Sequence, residues 1–225
     1  MPHAREAEKP KPLRRRKTAE ASREELIEAA IEVIGRKGLS RTTLADVAAK
    51  AGIGYGNVTF RFKTKAALLL AAITKVANEY MDHREEAAAA IVGGSAAERI
   101  DAMIVASFHR KLTSQKKIAL WHAFLSERHI HADYGKLFAG LREREYTLTK
   151  AIFEEIVAAE PSDCPDAHFA AVGINALIEG LWFNMRMVPN PLEPDEAAHI
   201  ARTFLASLFP TVFGKLPRTS ALQET

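Results

Sequence analysis

The stretch AGIGYGNVTFRF, residues 51–62, sets glycine at every second position and then turns apolar and basic. Glycines at this density can let backbone amides close around a phosphate, but such a loop follows a strand and, in one common form, runs into Gly-Lys-Ser/Thr. Here a helical pattern precedes it, the rhythm is Gly-x-Gly-x-Gly, and no Gly-Lys-Ser/Thr follows. A tight turn between two helices fits better than a nucleotide loop. Histidines 109, 122, 129 and 131 invite a metal, yet no pair has the i, i+4 spacing of a helical zinc site, and His129 and His131 would point to different sides of a helix. Cys164 is the only cysteine, which excludes an internal disulfide and any multi-thiolate site and leaves a buried or incidental thiol. There is no Gly-x-Ser-x-Gly elbow and no carboxylate pair that sequence sets face to face. No enzyme, cofactor or metal is expected.

A different chemistry is available to the aromatics. The two tryptophans, Trp121 and Trp182, each lie in a helical stretch with a glutamate nearby. Trp121, Phe124 and Leu125 share a face at i, i+3 and i+4, with Glu127 somewhat off it; Glu179 is adjacent to Trp182 and Phe183 at i+3 and i+4. A carboxylate beside aromatic faces suits a quaternary ammonium ion, which cannot donate a hydrogen bond and is held by ring quadrupoles and a counter-charge. Aromatics at helical spacing also serve as core packing, and Glu179 could pair with Arg186 or with a cation across a dimer contact. Both readings stand at this point. Phe108, Tyr134 and Asn175 are further candidates to line the same cavity.

The elements that must position these residues are helices. With 225 residues, 48% hydrophobic and 26% charged, the chain can build a real core. Helix formers dominate from Ser22 onward, and no alternating β-branched run exceeds a few residues, so the fold class is all-α, with about nine helices. Ser22 to Glu25 reads as a capping box, followed by an apolar stripe through Leu26, Ala29, Ala30, Val33 and Ile34 that stops at Lys37-Gly38. Thr43 caps a short helix over 44–50, Gly52 ends it, a third helix runs from Tyr55 to about Phe62, and Thr64 caps a long fourth helix from Lys65 towards Ile91. Ser95 and Glu98 open a helix reaching about Leu112. Further helices are expected over 116–128, 132–159, 165–187 and 194–208, with Pro165 and Pro194 in first turns. No apolar run approaches the length of a membrane span and the N-terminus lacks a signal-peptide core, so a cytoplasmic protein without membrane contact is expected.

Two short helices joined by a glycine turn are the layout of a helix-turn-helix, whose second helix enters the major groove. Tyr55, Asn57 and Thr59 would then stand near its N-terminus; Asn57 could reach an adenine edge or a phosphate, and Gly56 would allow close approach to the sugar–phosphate backbone. Taken singly, these are also ordinary capping and surface residues. Net charge is only +3, but Lys9, Lys11, Arg14, Arg15, Arg16 and Lys17 crowd the N-terminus, either as an arm for polyanion or as a solvated tail.

Residues 22–70 resemble the TetR family of bacterial transcriptional repressors through Thr43, Leu44, Asp46, Val47, Ala48, Ala51-Gly52-Ile53, Gly56, Phe62, Lys65 and Leu68-Leu69. Two positions depart from the family: Gly54 stands where a small hydroxyl residue is usual, and Thr59 where tyrosine is common. The BetI-type, choline-responsive branch is similar at position 59, and segments 117–127 and 175–186 look like the most recognisable parts of BetI-type sensor domains. The resemblance implies DNA contacts from Thr42, Thr43, Gly54, Tyr55, Gly56, Asn57, Thr59, Phe60, Lys63 and Lys65. It implies an effector site drawing on Trp121, Phe124, Glu127, Tyr134, Phe108, Asn175, Glu179 and Trp182. It further implies a homodimer through the last two long helices, double-stranded operator DNA as partner and a choline-like cation as effector. The expected organisation is a basic arm over 1–21, a DNA-binding domain over 22–66, an effector and dimerisation domain over 67–213 and a tail over 214–225.

Overall fold

A computed structural model describes residues 19–127, 132–159 and 164–214 of the chain. These form ten α-helices, and no strand occurs among the described residues. The arm basic residues up to Lys17 and most of the tail after Phe213 lie outside the described residues, as do His129 and His131.

Helix α1 (Ala19–Lys37) begins upstream of Ser22, so the capping box read there lies inside the helix. It ends at Gly38, whose φ of +80° only glycine adopts easily. Helix α2 (Leu44–Ala51) is closed at its start by a reciprocal pair: the Thr43 hydroxyl accepts from the Asp46 amide at 3.1 Å, and the Asp46 carboxylate accepts from the Thr43 amide at 3.0 Å. Gly52, at φ +64°, stops the helix and turns the chain into α3 (Tyr55–Arg61). The Thr64 hydroxyl accepts from the Ala67 amide and starts α4 (Lys65–Ala89). Leu26, Ala30, Ile34, Val47, Val58, Phe62 and Leu68 from these four helices are buried together.

The body comprises α5 (Ala96–Ser107), α6 (Gln115–Glu127), α7 (Ala132–Ala159), α8 (Ala167–Met187), α9 (Pro194–Leu208) and α10 (Pro210–Phe213). Helix α5 opens with the expected Ser95/Glu98 capping box but ends at Ser107, short of Leu112. The reason is tertiary: Phe108 is fully buried as the C-cap, and the Trp182 indole donates to the Ser107 carbonyl at 3.0 Å, satisfying a helix-end acceptor from outside the helix. Pro194 sits in the first turn of α9 as expected; Pro165 does not, because Asp166 is the N-cap of α8 and accepts from the Phe169 amide at 2.7 Å.

Helix α4, roughly 37 Å long by its residue count, belongs to both parts. It packs on α1 in the head and on α5, α6 and α7 in the body. The head also meets the body through α1 and α6. A Cβ at Gly35 of α1 would lie 2.5 Å from the Lys116 Cβ of α6, so glycine there permits the two helices to touch backbone to side-chain root. Around that contact Lys75 pairs with Glu24, Glu28 and Glu79, Lys117 with Glu79, and Lys50 and Lys116 with Glu32.

Candidate functional site

Four helices enclose a cavity in the body. Val76, Ala77 and Tyr80 come from α4, Trp121 from α6, Leu141, Arg142 and Glu145 from α7, and Asn175, Ile178, Glu179 and Trp182 from α8. Only about 20 Å³ is open to the centre of a water molecule, little more than one water requires. Tyr80 meets Trp182 edge-on with ring centroids 5.0 Å apart, and Trp121 meets Trp182 edge-on at 6.5 Å, so three rings converge on one wall.

The polar side of the cavity is a buried network. The Arg84 Nη1 donates to Glu145 Oε1 at 2.8 Å and to the Tyr80 hydroxyl oxygen at 2.7 Å; the Tyr80 hydroxyl donates in turn to Glu145 Oε1 at 2.9 Å. The Arg84 Nη2 donates to Asn175 Oδ1 at 3.2 Å and Thr149 Oγ1 at 3.4 Å. Arg84, Glu145, Thr149 and Asn175 are all buried, and Arg84 Nε has no hydrogen-bond partner. Burial pushes the Tyr80 phenol well above its usual pKa, with neighbouring Glu145 adding to the shift against Arg84, so the hydroxyl stays protonated and able to donate. Arg142 closes the outer side: its Nη1 donates to Glu145 Oε2 at 2.8 Å and lies 3.5 Å from Glu179.

Of the eight effector-site residues expected from sequence, Trp121, Asn175, Glu179 and Trp182 line this cavity. Phe108, Phe124 and Tyr134 do not. Phe108 is core at the end of α5. Phe124 packs behind Trp121 at 5.7 Å and against Tyr134 at 5.6 Å, and the Tyr134 hydroxyl reaches the Ala66 carbonyl at 3.4 Å, at the start of α4. These two support the wall and the start of α4. The Glu127 side chain lies outside the described residues. Sequence reading missed Tyr80, Arg142, Glu145 and Arg84. A signal existed: Leu141, Glu145, Thr149, Ile152 and Ile156 follow one helical stripe, and a carboxylate on an apolar stripe demands a partner.

On the head, Tyr55 (56% exposed) and Phe60 (83% exposed) project from α3 with Gly56 and Asn57, and open space surrounds Gly56. Gly54 is the N-cap of α3 and exposed; Thr43 and Lys63 are exposed as well. Three residues differ from a freely presented set. Thr42 is 2% exposed and donates to the Gly38 carbonyl at 2.8 Å, holding the loop before α2. The Thr59 hydroxyl donates back to the carbonyls of Gly56 and Tyr55, and the Lys65 ammonium donates to the Ser40 carbonyl at 3.0 Å. The two threonines thus spend their only donor on the protein itself, and Lys65 spends one of its three. Among the described residues no group of three or more His, Cys, Asp or Glu could hold a metal ion, and no helix is long and apolar enough to cross a membrane.

Comparison with known proteins accords with this architecture of helical head and body. Residues 26–72 match the family profile of bacterial regulatory proteins of the tetR family, and residues 96–210 match that of the BetI-type transcriptional repressor C-terminal region. The HTH-type transcriptional regulator BetI of Escherichia coli K12 is 26% identical over 191 residues, covering 84% of this chain and 94% of its own. Among solved structures, a transcriptional regulator from Rhodococcus sp. Rha1 superposes with a TM-score of 0.73 at 18% identity, covering 87% of this chain and 100% of its own. A Saccharomonospora viridis protein, crystallised in complex with choline, superposes with a TM-score of 0.70 at 20% identity over 84% of this chain and 96% of its own. With its helix-turn-helix head and its matched C-terminal segment, the chain belongs to the TetR family of transcriptional regulators and carries a BetI-type repressor domain.

Proposed function

We propose that this repressor is released from its operator by choline or a related quaternary ammonium compound, and so controls genes that take choline to glycine betaine. One observation carries the reading: Tyr80, Trp121 and Trp182 converge on a cavity that also holds the carboxylates Glu145 and Glu179. Cation–π contacts contribute about 0.5–2 kcal/mol each, so three rings and a counter-charge support micromolar to millimolar affinity. The choline complex of the S. viridis protein and the BetI relative of E. coli favour the same ligand class.

In this reading residues 22–66 bind DNA, with Tyr55, Asn57 and Phe60 presented to the major groove and Thr43 and Lys63 to the phosphates. Residues 67–213 bind effector and dimerise. The exposed Phe169, Val172, Ala176, Gly180 and Phe183 follow one stripe of α8, an apolar face suited to a second copy packing there with α9. A dimer sets its two α3 helices against half-sites roughly 34–36 Å apart or a multiple of it. The cavity is too tight for choline in this conformation, so the effector binds a state in which the rings have parted. Helix α6 carries Trp121 and abuts α1 at Gly35; α4 carries Tyr80 and continues from the head. Parting the rings therefore moves both connections to the head. A ligand that favours the altered spacing weakens DNA binding, and DNA weakens the ligand by the same factor.

Calorimetric titration of the purified protein with choline, and with its neutral isostere in which carbon replaces nitrogen, tests the ligand. Choline is expected to bind in the micromolar to millimolar range, the isostere far more weakly, and Trp121→Ala to lose choline binding. Equal heats for both compounds, or none for either, would remove the cationic site.

A further inference from the structure

The cavity described above already contains a cation. Its two carboxylates, Glu145 and Glu179, face two guanidinium groups, Arg84 and Arg142, so its formal charge is balanced before any effector arrives. A monocation entering such a site adds one uncompensated positive charge in a low-dielectric space, which is unfavourable unless a resident cation leaves.

The two arginines are not equally free to go. The Arg84 side chain is 2% exposed and holds Glu145, Tyr80, Thr149 and Asn175 together. The Arg142 side chain is 33% exposed, and among the described residues its ion pairs are with the two carboxylates. Arg142 also has somewhere to go. On the far side of Glu145 a groove between α7 and α8, bordered by Glu143, Tyr146, His168 and, at the edge of the proposed dimer face, Val172, offers about 360 Å³ to the centre of a water molecule, and Arg142, Glu145 and Asn175 line both spaces. An arginine on a flexible stem can turn from one space to the other and trade a carboxylate contact for hydration.

We infer that Arg142 is a displaceable internal cation: it occupies the effector's charge position between Glu145 and Glu179, and a monocationic effector binds by driving it out into the groove. The inference rests on the proposed cationic effector and adds a specificity device to it. Arg142 sets a threshold on effector concentration, since every binding event must break its two ion pairs. A neutral ligand cannot take its place between the carboxylates, and a dication would leave the site overcharged.

The test is choline titration of the full-length protein and of Arg142→Gln, with the neutral isostere alongside. Removing the competitor should tighten choline binding about fivefold, the scale of a partly exposed ion pair, and leave the isostere unchanged. Arg142→Lys, which keeps the charge, should stay near the parent and guards against a gain that reflects altered packing alone. Choline binding that is unchanged or weaker in Arg142→Gln would overturn the inference while leaving the effector intact. An equal gain for choline and isostere would overturn it too, because volume rather than charge would then be responsible. No choline binding by either protein would remove the effector reading and the inference together.

Discussion

The head and the cavity spend their polar groups differently. In the head, the capping hydrogen bonds are short in sequence and exposed: Thr43 with Asp46 and Thr64 with Ala67. Around the cavity they span the chain and are buried: Arg84 reaches Glu145, Thr149 and Asn175, and Trp182 reaches Ser107. A local exposed bond fixes one turn, and its loss is partly made good by solvent. A buried long-range bond fixes the relation between helices, and its loss leaves a charge or a donor with nothing in its place. The head thus presents an exposed face on locally capped helices, and the body is a set of helices whose relative positions hang on a few buried groups.

Substitutions at matched sites sharpen that contrast. The largest effect is expected from Arg84→Met, which strips the buried Glu145 of its deepest partner and should cost about 3–5 kcal/mol in urea unfolding. Adding Glu145→Gln should recover part of the loss, since the orphaned charge is then gone. Thr43→Ala, which removes a local cap, should cost only about 1 kcal/mol. Similar losses for Arg84→Met and Thr43→Ala would break the comparison.

Lys63→Ala addresses the exposed face. It should leave unfolding unchanged, weaken operator binding, and reduce the slope of log affinity against log salt by about one, as loss of a phosphate contact does. An unaltered slope would take Lys63 out of the DNA contact.

The smallest effect concerns two histidines. Burial lowers the pKa of His122 against the pull of Glu179, and burial with the neighbouring His83 and Lys111 lowers that of His109. Both favour the neutral ring in the folded protein, so their contribution is complete above the ordinary value of 6.5 and is lost as pH falls below it, when the unfolded chain takes up protons first. Stability should therefore fall on acidification from neutral pH, less steeply in His122→Asn. A parallel pH profile for that variant would show that His122 does not contribute.

The same division explains what could be read without coordinates. Thr43, Gly52, Thr64 and the Ser95/Glu98 pair announce themselves within four residues, and the structure has each of them where the pattern placed it. The end of α5 was misread because Phe108 and Trp182, remote in sequence, decide it. Trp121, Glu179 and Trp182 were legible as a chemically suggestive set, whereas Phe124 was not separable from them, nor Phe108 and Tyr134 from the further candidate Asn175, since residue type does not say which side of a wall a side chain faces. Arg84 and Glu145 carry the cavity's electrostatics, and their meaning lies in a contact across 61 positions.

The most direct test is fluorescence anisotropy of the protein on DNA from upstream of its own gene, at fixed salt, titrated with choline and with the neutral isostere. A coupling of about 1–3 kcal/mol predicts a 5- to 150-fold loss of DNA affinity with choline, and none with the isostere. Release by both compounds, or firm binding indifferent to both, would contradict a cation-operated repressor.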